Sequence, residues 1–287
     1  MTFRFSASRP FALASLAVLG AAAIPLPASA QAKEAAALAS HVAIYDLRLA
    51  TSRGKRALES VRGRIVYDFS GNPCEGYALQ FRQVSALDTG EGRMVMSDLR
   101  STTWEDADGK SFRFNSENFM DEKLNESADG RAERGSNGVV VQLAKPRAKK
   151  LEVGEVVFPT AHMRKILDAA RAGQRLFETP VFDGSESGEK VYQSLAVIGP
   201  AIAPDQKKPT DAAADKAELA GLARWPVTIS YFDKAGRRGE GEQTPVYAIS
   251  FEMYENGVSR ALRLDYGDFV VDGVMTSLEL RDSKPCR

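Results

Sequence analysis

The chain has 287 residues, 44% of them hydrophobic and 26% charged, and its 38 basic residues balance 38 acidic ones. That balance offers no basic face to neutralise phosphates, which argues against a nucleic-acid partner, and it gives no strong pull toward anionic lipid. The length suffices for one large β domain or two small ones.

An export signal opens the chain. Arg4 and Arg9 form a short positive region, Phe11 to Ile24 is a 14-residue apolar run, and Ala28-Ser29-Ala30 supplies the small-x-small pattern that a signal peptidase reads. A bilayer-spanning helix needs roughly 20 apolar residues, so residues 1–30 are expected to be a signal peptide cleaved after Ala30. No later segment is apolar enough to span a membrane. The remaining 31–287 would carry 36 basic against 38 acidic residues. Two cysteines, Cys74 and Cys286, follow the signal. An even, minimal count in an exported chain predicts one disulfide in an oxidising compartment.

Period-two alternation then dominates. Ile65, Tyr67 and Phe69 alternate with Arg64, Val66 and Asp68; Tyr77, Leu79 and Phe81 alternate with Ala78, Gln80 and Arg82; Phe112 and Phe114 flank Arg113; Val139, Val141 and Leu143 share a phase. One apolar face and one polar face predict antiparallel sheet with a single buried side. Asp108-Gly109, Asp129-Gly130, Asn137-Gly138, Asp183-Gly184, Asn256-Gly257 and Asp272-Gly273 read as turns. The period changes at Met163, Ile166, Leu167 and Ala170, which predicts an amphipathic helix over about 160–173, capped by Thr160 and ended by Gly173. Residues 199–223, with Pro200, Pro204 and Pro209, predict a long exposed excursion with a helical turn after Thr210. Such a loop is functional, disordered or a tolerated insertion. Val227, Ile229 and Tyr231 resume the alternation, and strands over about 244–255, 258–271 and 274–281 close the chain as a meander, with Gly267 as a bulge.

This pattern gives roughly thirteen or fourteen strands and no internal repeat. The expected fold is all-β and mostly antiparallel: one many-stranded spiral or half-barrel sheet over 31–287, with one amphipathic helix packed on it, since sheets this large must curl or split.

Catalytic signatures are sparse. His162 is the internal histidine, it lacks a nucleophile motif such as G-x-S-x-G, and it reads as a solvent-facing helix residue. No Cys/His cluster has zinc spacing, and no glycine-rich phosphate loop is present, so no catalytic residue, cofactor or metal is assigned. A carboxylate pair of the glycosidase kind is open; Asp265-Tyr266-Gly267-Asp268 is the densest set, with a solvated turn as its other reading. Trp225 reads as core, with a surface anchor as the alternative.

Several segments together resemble the cell envelope integrity protein EipB family of exported proteins from Gram-negative bacteria. They are Asn72-Pro73-Cys74-Glu75-Gly76-Tyr77, the run Arg224 to Phe232, Tyr254 to Arg260, Leu264 to Phe269, and Pro285-Cys286. The resemblance implies a periplasmic β-spiral closed by a Cys74–Cys286 disulfide, a role in keeping the envelope intact under stress, and pairing with a periplasmic tetratricopeptide-repeat protein. It supplies no catalytic residues. A non-enzymatic interaction protein is therefore the first expectation, with the 160–173 helix and the 199–223 excursion as exposed contact candidates. The alternative is a carrier that binds lipid or acyl chains inside a half-open barrel, with Phe81, Phe112, Phe114, Met94 and Met96 lining the cavity.

Overall fold

Fourteen strands make one antiparallel sheet in a computed structural model that describes residues 37–53, 58–90, 92–233, 243–283 and 286. The expected cleavage site at Ala30 lies outside the described residues. The strands are β1 (Ser40–Ser52), β2 (Ser60–Asn72), β3 (Gly76–Asp88), β4 (Met94–Glu105), β5 (Ser111–Met120), β6 (Lys123–Gly135), β7 (Gly138–Lys145) and β8 (Lys149–Gly154). After helix α1 (Pro159–Arg171) come β9 (Leu176–Val181), β10 (Tyr192–Ile198), β11 (Arg224–Asp233), β12 (Tyr247–Tyr254), β13 (Ser259–Asp265) and β14 (Phe269–Arg281). The spatial order is β8-β7-β6-β5-β4-β3-β2-β1-β14-β13-β12-β11-β10-β9.

Two meanders thus run outward and back. β1 and β14 zip together at the centre, from Ser40 opposite Arg281 to Ser52 opposite Phe269. The chain crosses from one sheet edge to the other through α1. The sheet stays open, but its edges meet at one corner, where Val157 forms a parallel bridge with Val181: Val157 N–H donates to Pro180 O at 2.9 Å, and Phe182 N–H to Val157 O at 3.0 Å.

Cys74 sits in the β2–β3 turn and bonds Cys286, beyond β14, with Cα atoms 5.8 Å apart and a sequence separation of 212. The turn is preset by Asn72, whose Oδ1 accepts the N–H groups of Cys74 at 2.9 Å and Glu75 at 2.8 Å.

Helix α1 lies against the inner face of the curl. Ile166, Leu167, Ala169 and Ala170 are buried against Phe69, Tyr77, Ile198, Trp225 and Met253, which come from both meanders. The helix starts earlier than expected: Phe158 is the N-cap and offers no side-chain cap, and Pro159 occupies the first turn, where its missing N–H costs nothing. Thr160 is therefore inside the helix, and the cap comes from the end of β4. The Glu105 carboxylate accepts Thr160 N–H at 2.7 Å and Ala161 N–H at 2.9 Å. Gly173, at φ 72°, ends the helix as expected; its N–H reaches Ala170 O and the Gln174 N–H reaches Ala169 O, a Schellman closure.

Other expectations need correcting. Asp129-Gly130 lies inside β6 and Asp272-Gly273 inside β14, so neither pair is a turn. A Cβ at Gly130 would sit 2.8 Å from the Phe114 ring and from Gln142 O, so this glycine serves close packing. The expected 258–271 strand is broken at 266–268 by a tight turn. There Gly267, at φ 84°, donates its N–H to Asp265 Oδ1, and it is not a bulge within a strand. Asn256-Gly257 is the hairpin turn expected: Tyr254 N–H donates to Val258 O at 2.8 Å.

The 199–223 excursion is exposed only in part. Its helical pieces, a 3-10 turn at Ala212–Ala214 and α2 (Ala217–Ala220), follow Thr210 as expected, but Asp211, Ala214 and Leu219 are buried. A charged network pins it. Arg260 Nη2 meets Asp211 Oδ1 at 2.9 Å, Asp211 Oδ2 accepts Met275 N–H, and Arg224 donates to Glu252 Oε2 and to Lys207 O at 2.6 Å each. Arg260 also donates to Glu252.

Candidate functional site

Strand alternation sends every second side chain inward. Along β1 these include His41 and Tyr45; along β2, Ile65 and Tyr67; along β3, Phe81 and Gln83; along β11, Ile229 and Tyr231; along β12, Tyr247, Ile249 and Phe251; along β13, Leu262 and Leu264. With Pro159, His162, Met163 and Ile166 of α1 as a roof, they enclose a chamber of about 310 Å³. That volume falls at the low end for ligand pockets, roughly 300–1,000 Å³.

Aromatic rings contact one another in series, some stacked and others edge-on or tilted. Tyr192, Tyr231, Tyr247, Tyr266 and Phe269 follow one another with centroids 6.2, 6.1, 5.2 and 4.9 Å apart. On the other side His41 stacks on Tyr67 at 5.6 Å. Burial pushes the phenols of Tyr45, Tyr67, Tyr231 and Tyr247 well above the ordinary tyrosine range, so all four are neutral near pH 7.

His162 is buried, not solvent-facing, because the curl of the sheet wraps the helix face that carries it. Burial lowers its pKa to about 4. Ser194 Oγ lies 3.0 Å from His162 Nε2 and donates to Thr179 O at 2.8 Å. That donation makes Ser194 the acceptor of the histidine N–H, the reverse of the proton order that activates a nucleophile. Ser194 also has no exposed surface to meet a substrate. His41 Nδ1 donates to Ala39 O at 2.8 Å, which leaves Nε2 as the acceptor, and burial lowers its pKa.

A second cavity of about 390 Å³ abuts the chamber; Phe81, Pro159 and Asp183 line both. We term it the vestibule. Its remaining walls are mixed: Leu79, Leu99 and Gly184 stand beside Ser101, Thr103, Ser116, Asn118, Glu126, Ser185 and Glu186. Burial raises the Asp183 pKa, against the opposing bond from Ser185 N–H at 2.9 Å. Glu186 is held by Tyr192 OH and, at 2.6 Å, by Lys190 Nζ. Among the described residues, no group of three or more His, Cys, Asp or Glu side chains is arranged to hold a metal ion.

The residues expected to line an acyl pocket are dispersed. Phe81 does line the chamber. Phe112 and Phe114 instead pack with Phe158 and Phe182 in a separate core. Met94 and Met96 are 54% and 42% exposed, since their alternation phase places them on the outer face. Asp265 pairs with Arg53 at 3.1 Å in its turn, and Arg263 pairs with Asp272, so Asp265 and Asp268 form no acid pair across a cleft. Trp225 is core. Neither the tyrosines nor His41 was singled out from sequence, and Asp183 read as a turn residue. The signal was present in the shared phase of Tyr45, Tyr67, Phe81, Tyr231, Tyr247 and Phe251. Among the described residues, no helix is long and apolar enough to cross a membrane.

Comparison with known proteins places these features in a family. The chain is 37% identical over 255 residues, 89% of each chain, to a Brucella abortus protein named cell envelope integrity protein EipB. It is also similar to a crystal structure from Brucella abortus described as a β-barrel-like protein of a domain of unknown function, with a TM-score of 0.80, 37% identity, and coverage of 86% of this chain and 100% of that one. The EipB-like family model matches residues 32–282, and the chain belongs to that family.

Proposed function

We propose that this protein is a non-enzymatic component of the periplasm that supports cell envelope integrity through protein–protein interaction, with its fold locked by Cys74–Cys286. The observation that supports this reading is the 37% identity, over 89% of both chains, with a relative named for envelope integrity. The partner we infer is a periplasmic tetratricopeptide-repeat protein. The contact candidates are narrower than the sequence suggested. Helix α1 leaves only Lys165, Asp168 and Arg171 exposed, and the longest exposed run of the excursion is residues 204–208, with Asp215, Ala217 and Glu218 exposed further along. In the source bacterium, deletion of the gene is expected to sensitise cells to detergent and to cell-wall antibiotics, and re-expression to restore resistance. Unchanged sensitivity overturns the envelope role. Failure of the purified protein to form a complex with the co-expressed repeat protein overturns the pairing.

A second reading has its own observation. The chamber supports a carrier that binds lipid or acyl chains, because an interior of about 310 Å³ walled by isoleucine, leucine and aromatic rings favours an apolar guest.

A further inference from the structure

The chamber wall is mostly rings and branched aliphatics, but it carries a few polar atoms, and not all of them are engaged. Tyr45 donates its hydroxyl to Ser259 O at 2.6 Å, and Gln83 Nε2 donates to Tyr266 Oη at 3.2 Å. The Tyr247 hydroxyl lies beside that of Tyr266. Tyr67 and Tyr231 differ. Neither hydroxyl has a hydrogen-bond partner among the described residues, and neither is sealed from contact as the unpaired hydroxyls of Tyr77 and Tyr254 are. Both side chains sit deep in the fold yet keep accessible surface, and the chamber is the space they line. Two free donors therefore face the interior, Tyr67 from β2 in the first meander and Tyr231 from β11 in the second. His41 stacks on Tyr67, and His162 meets Tyr231 edge-on at 6.4 Å; burial lowers both histidine pKa values, which keeps the imidazoles neutral near pH 7. No lysine or arginine stands among the described residues that line the chamber. Asp183, the carboxyl on its wall, already takes Ser185 N–H, and burial favours its protonated form. An anion that entered would lose its hydration and find no cation.

We propose that the chamber binds an uncharged guest with an apolar body and a carbonyl-class acceptor, and that the free phenols of Tyr67 and Tyr231 donate to that acceptor. The proposal rests on the carrier reading and assigns the ligand class: a neutral ester or ketone, not a free carboxylate. A neutral phenol in a poorly solvated interior gains a strong hydrogen bond from such a guest and gives up none to make it. The chamber is about twice the size of an apolar cavity of about 150 Å³ that takes benzene, so it suits a single chain or ring system.

The test uses the disulfide-intact mature protein and three probes: 2-octanone, octanoate and toluene. Calorimetric titration at pH 7 is expected to give at least tenfold tighter binding for 2-octanone than for octanoate, with toluene reporting the apolar body of the chamber alone. The double variant Tyr67→Phe/Tyr231→Phe keeps both rings and removes both donors. It is expected to weaken 2-octanone at least fivefold, to change toluene less than twofold, and to leave Tm no lower than that of the wild type, since the free hydroxyls have no partner to lose. A Tm lower by several degrees in the variant overturns the premise that those hydroxyls are free. Octanoate binding as tightly as 2-octanone, or 2-octanone binding undiminished in the variant, overturns the acceptor assignment and leaves the carrier reading standing. Absence of binding by both 2-octanone and toluene overturns the carrier reading itself.

Discussion

Replacing Asp211 by alanine tests whether the excursion is fastened to the sheet or merely rests on it. Asp211 and Arg260 meet at 2.9 Å with side chains only 5% and 3% exposed. Thr210 Oγ1 also accepts from Arg260, and Met275 N–H donates to the second Asp211 oxygen. Without Asp211, two guanidinium groups, Arg224 and Arg260, share the carboxylate of Glu252. Breaking a buried pair from one side costs about 3–5 kcal/mol, because the remaining charge stays buried. For a chain of this size each kcal/mol lowers Tm by about 2–4 °C, so Asp211→Ala is expected to lower Tm by about 6–20 °C. The double variant Asp211→Ala/Arg260→Met removes both charges and leaves Glu252 paired with Arg224. It is expected to recover most of the loss, giving a coupling of at least about 2 kcal/mol in a double-mutant cycle. Urea denaturation at pH 7 reads all four proteins. A single-variant loss below about 1 kcal/mol, or additivity in the cycle, refutes the fastening.

Three further outcomes follow from the same physics. Cys286→Ser opens a 212-position loop; the chain-entropy cost approaches about 5 kcal/mol, so Tm should fall by several degrees or more, and an unchanged Tm in reductant would show that the bond contributes nothing. Gly184→Ala places a Cβ 2.4 Å from the Phe114 ring at a φ of 69° and is expected to cost about 2 kcal/mol or more; a neutral result in the same urea assay rules out that clash. Burial raises the Glu105 pKa to about 7 and lowers that of His162 to about 4. The Glu105 contribution is therefore fully present below its unfolded value and lost as pH rises through about 7. The His162 contribution is present above its unfolded value and lost as pH falls through about 4. The two oppose each other between pH 4.5 and 6.5. Glu105→Gln removes the acid-side gain, so its stability should fall more steeply from pH 7 to pH 4.5 than that of the wild type; equal slopes would refute the assignment.

The fold was legible because its alternation is local: each strand carries its inward set at every second residue, and Asn256-Gly257 and the Gly173 helix end are short-range signals. The site was less legible because it is assembled across the sheet. His162 looks exposed on a helix read alone; only the curl of the sheet buries it beside Ser194. Thr160 looks like a cap until Glu105, 55 positions away, takes the N–H groups instead. Asp129-Gly130 has the composition of a turn, yet its glycine makes room for Phe114. Asp211 carries no mark that distinguishes it from neighbouring acids until Arg260 is placed opposite it. In each case the deciding partner is distant in sequence.

The two seams of the sheet divide its work. The β1–β14 seam joins the ends of the described chain, so the sheet's centre cannot form until the last strand is present, and contacts of this separation make folding slow. Cys74–Cys286 fastens the end of that seam beside Gly76 and Tyr77, where β3 begins. Tyr77 is buried against α1, and the Arg164 guanidinium of that helix lies 4.9 Å from its ring centroid. The disulfide therefore supports the wall on which the chamber roof rests. The opposite seam, at the β8 and β9 edges, is closed by the Val157–Val181 bridge, and the chain runs from that bridge directly into Asp183, Gly184 and Glu186 of the vestibule. A parallel bridge with two hydrogen bonds opens at far lower cost than a 13-residue strand pair. The fold thus places its covalent tie at the seam between the first and last described strands, and a short two-bond bridge at the edge from which the chain enters the vestibule wall.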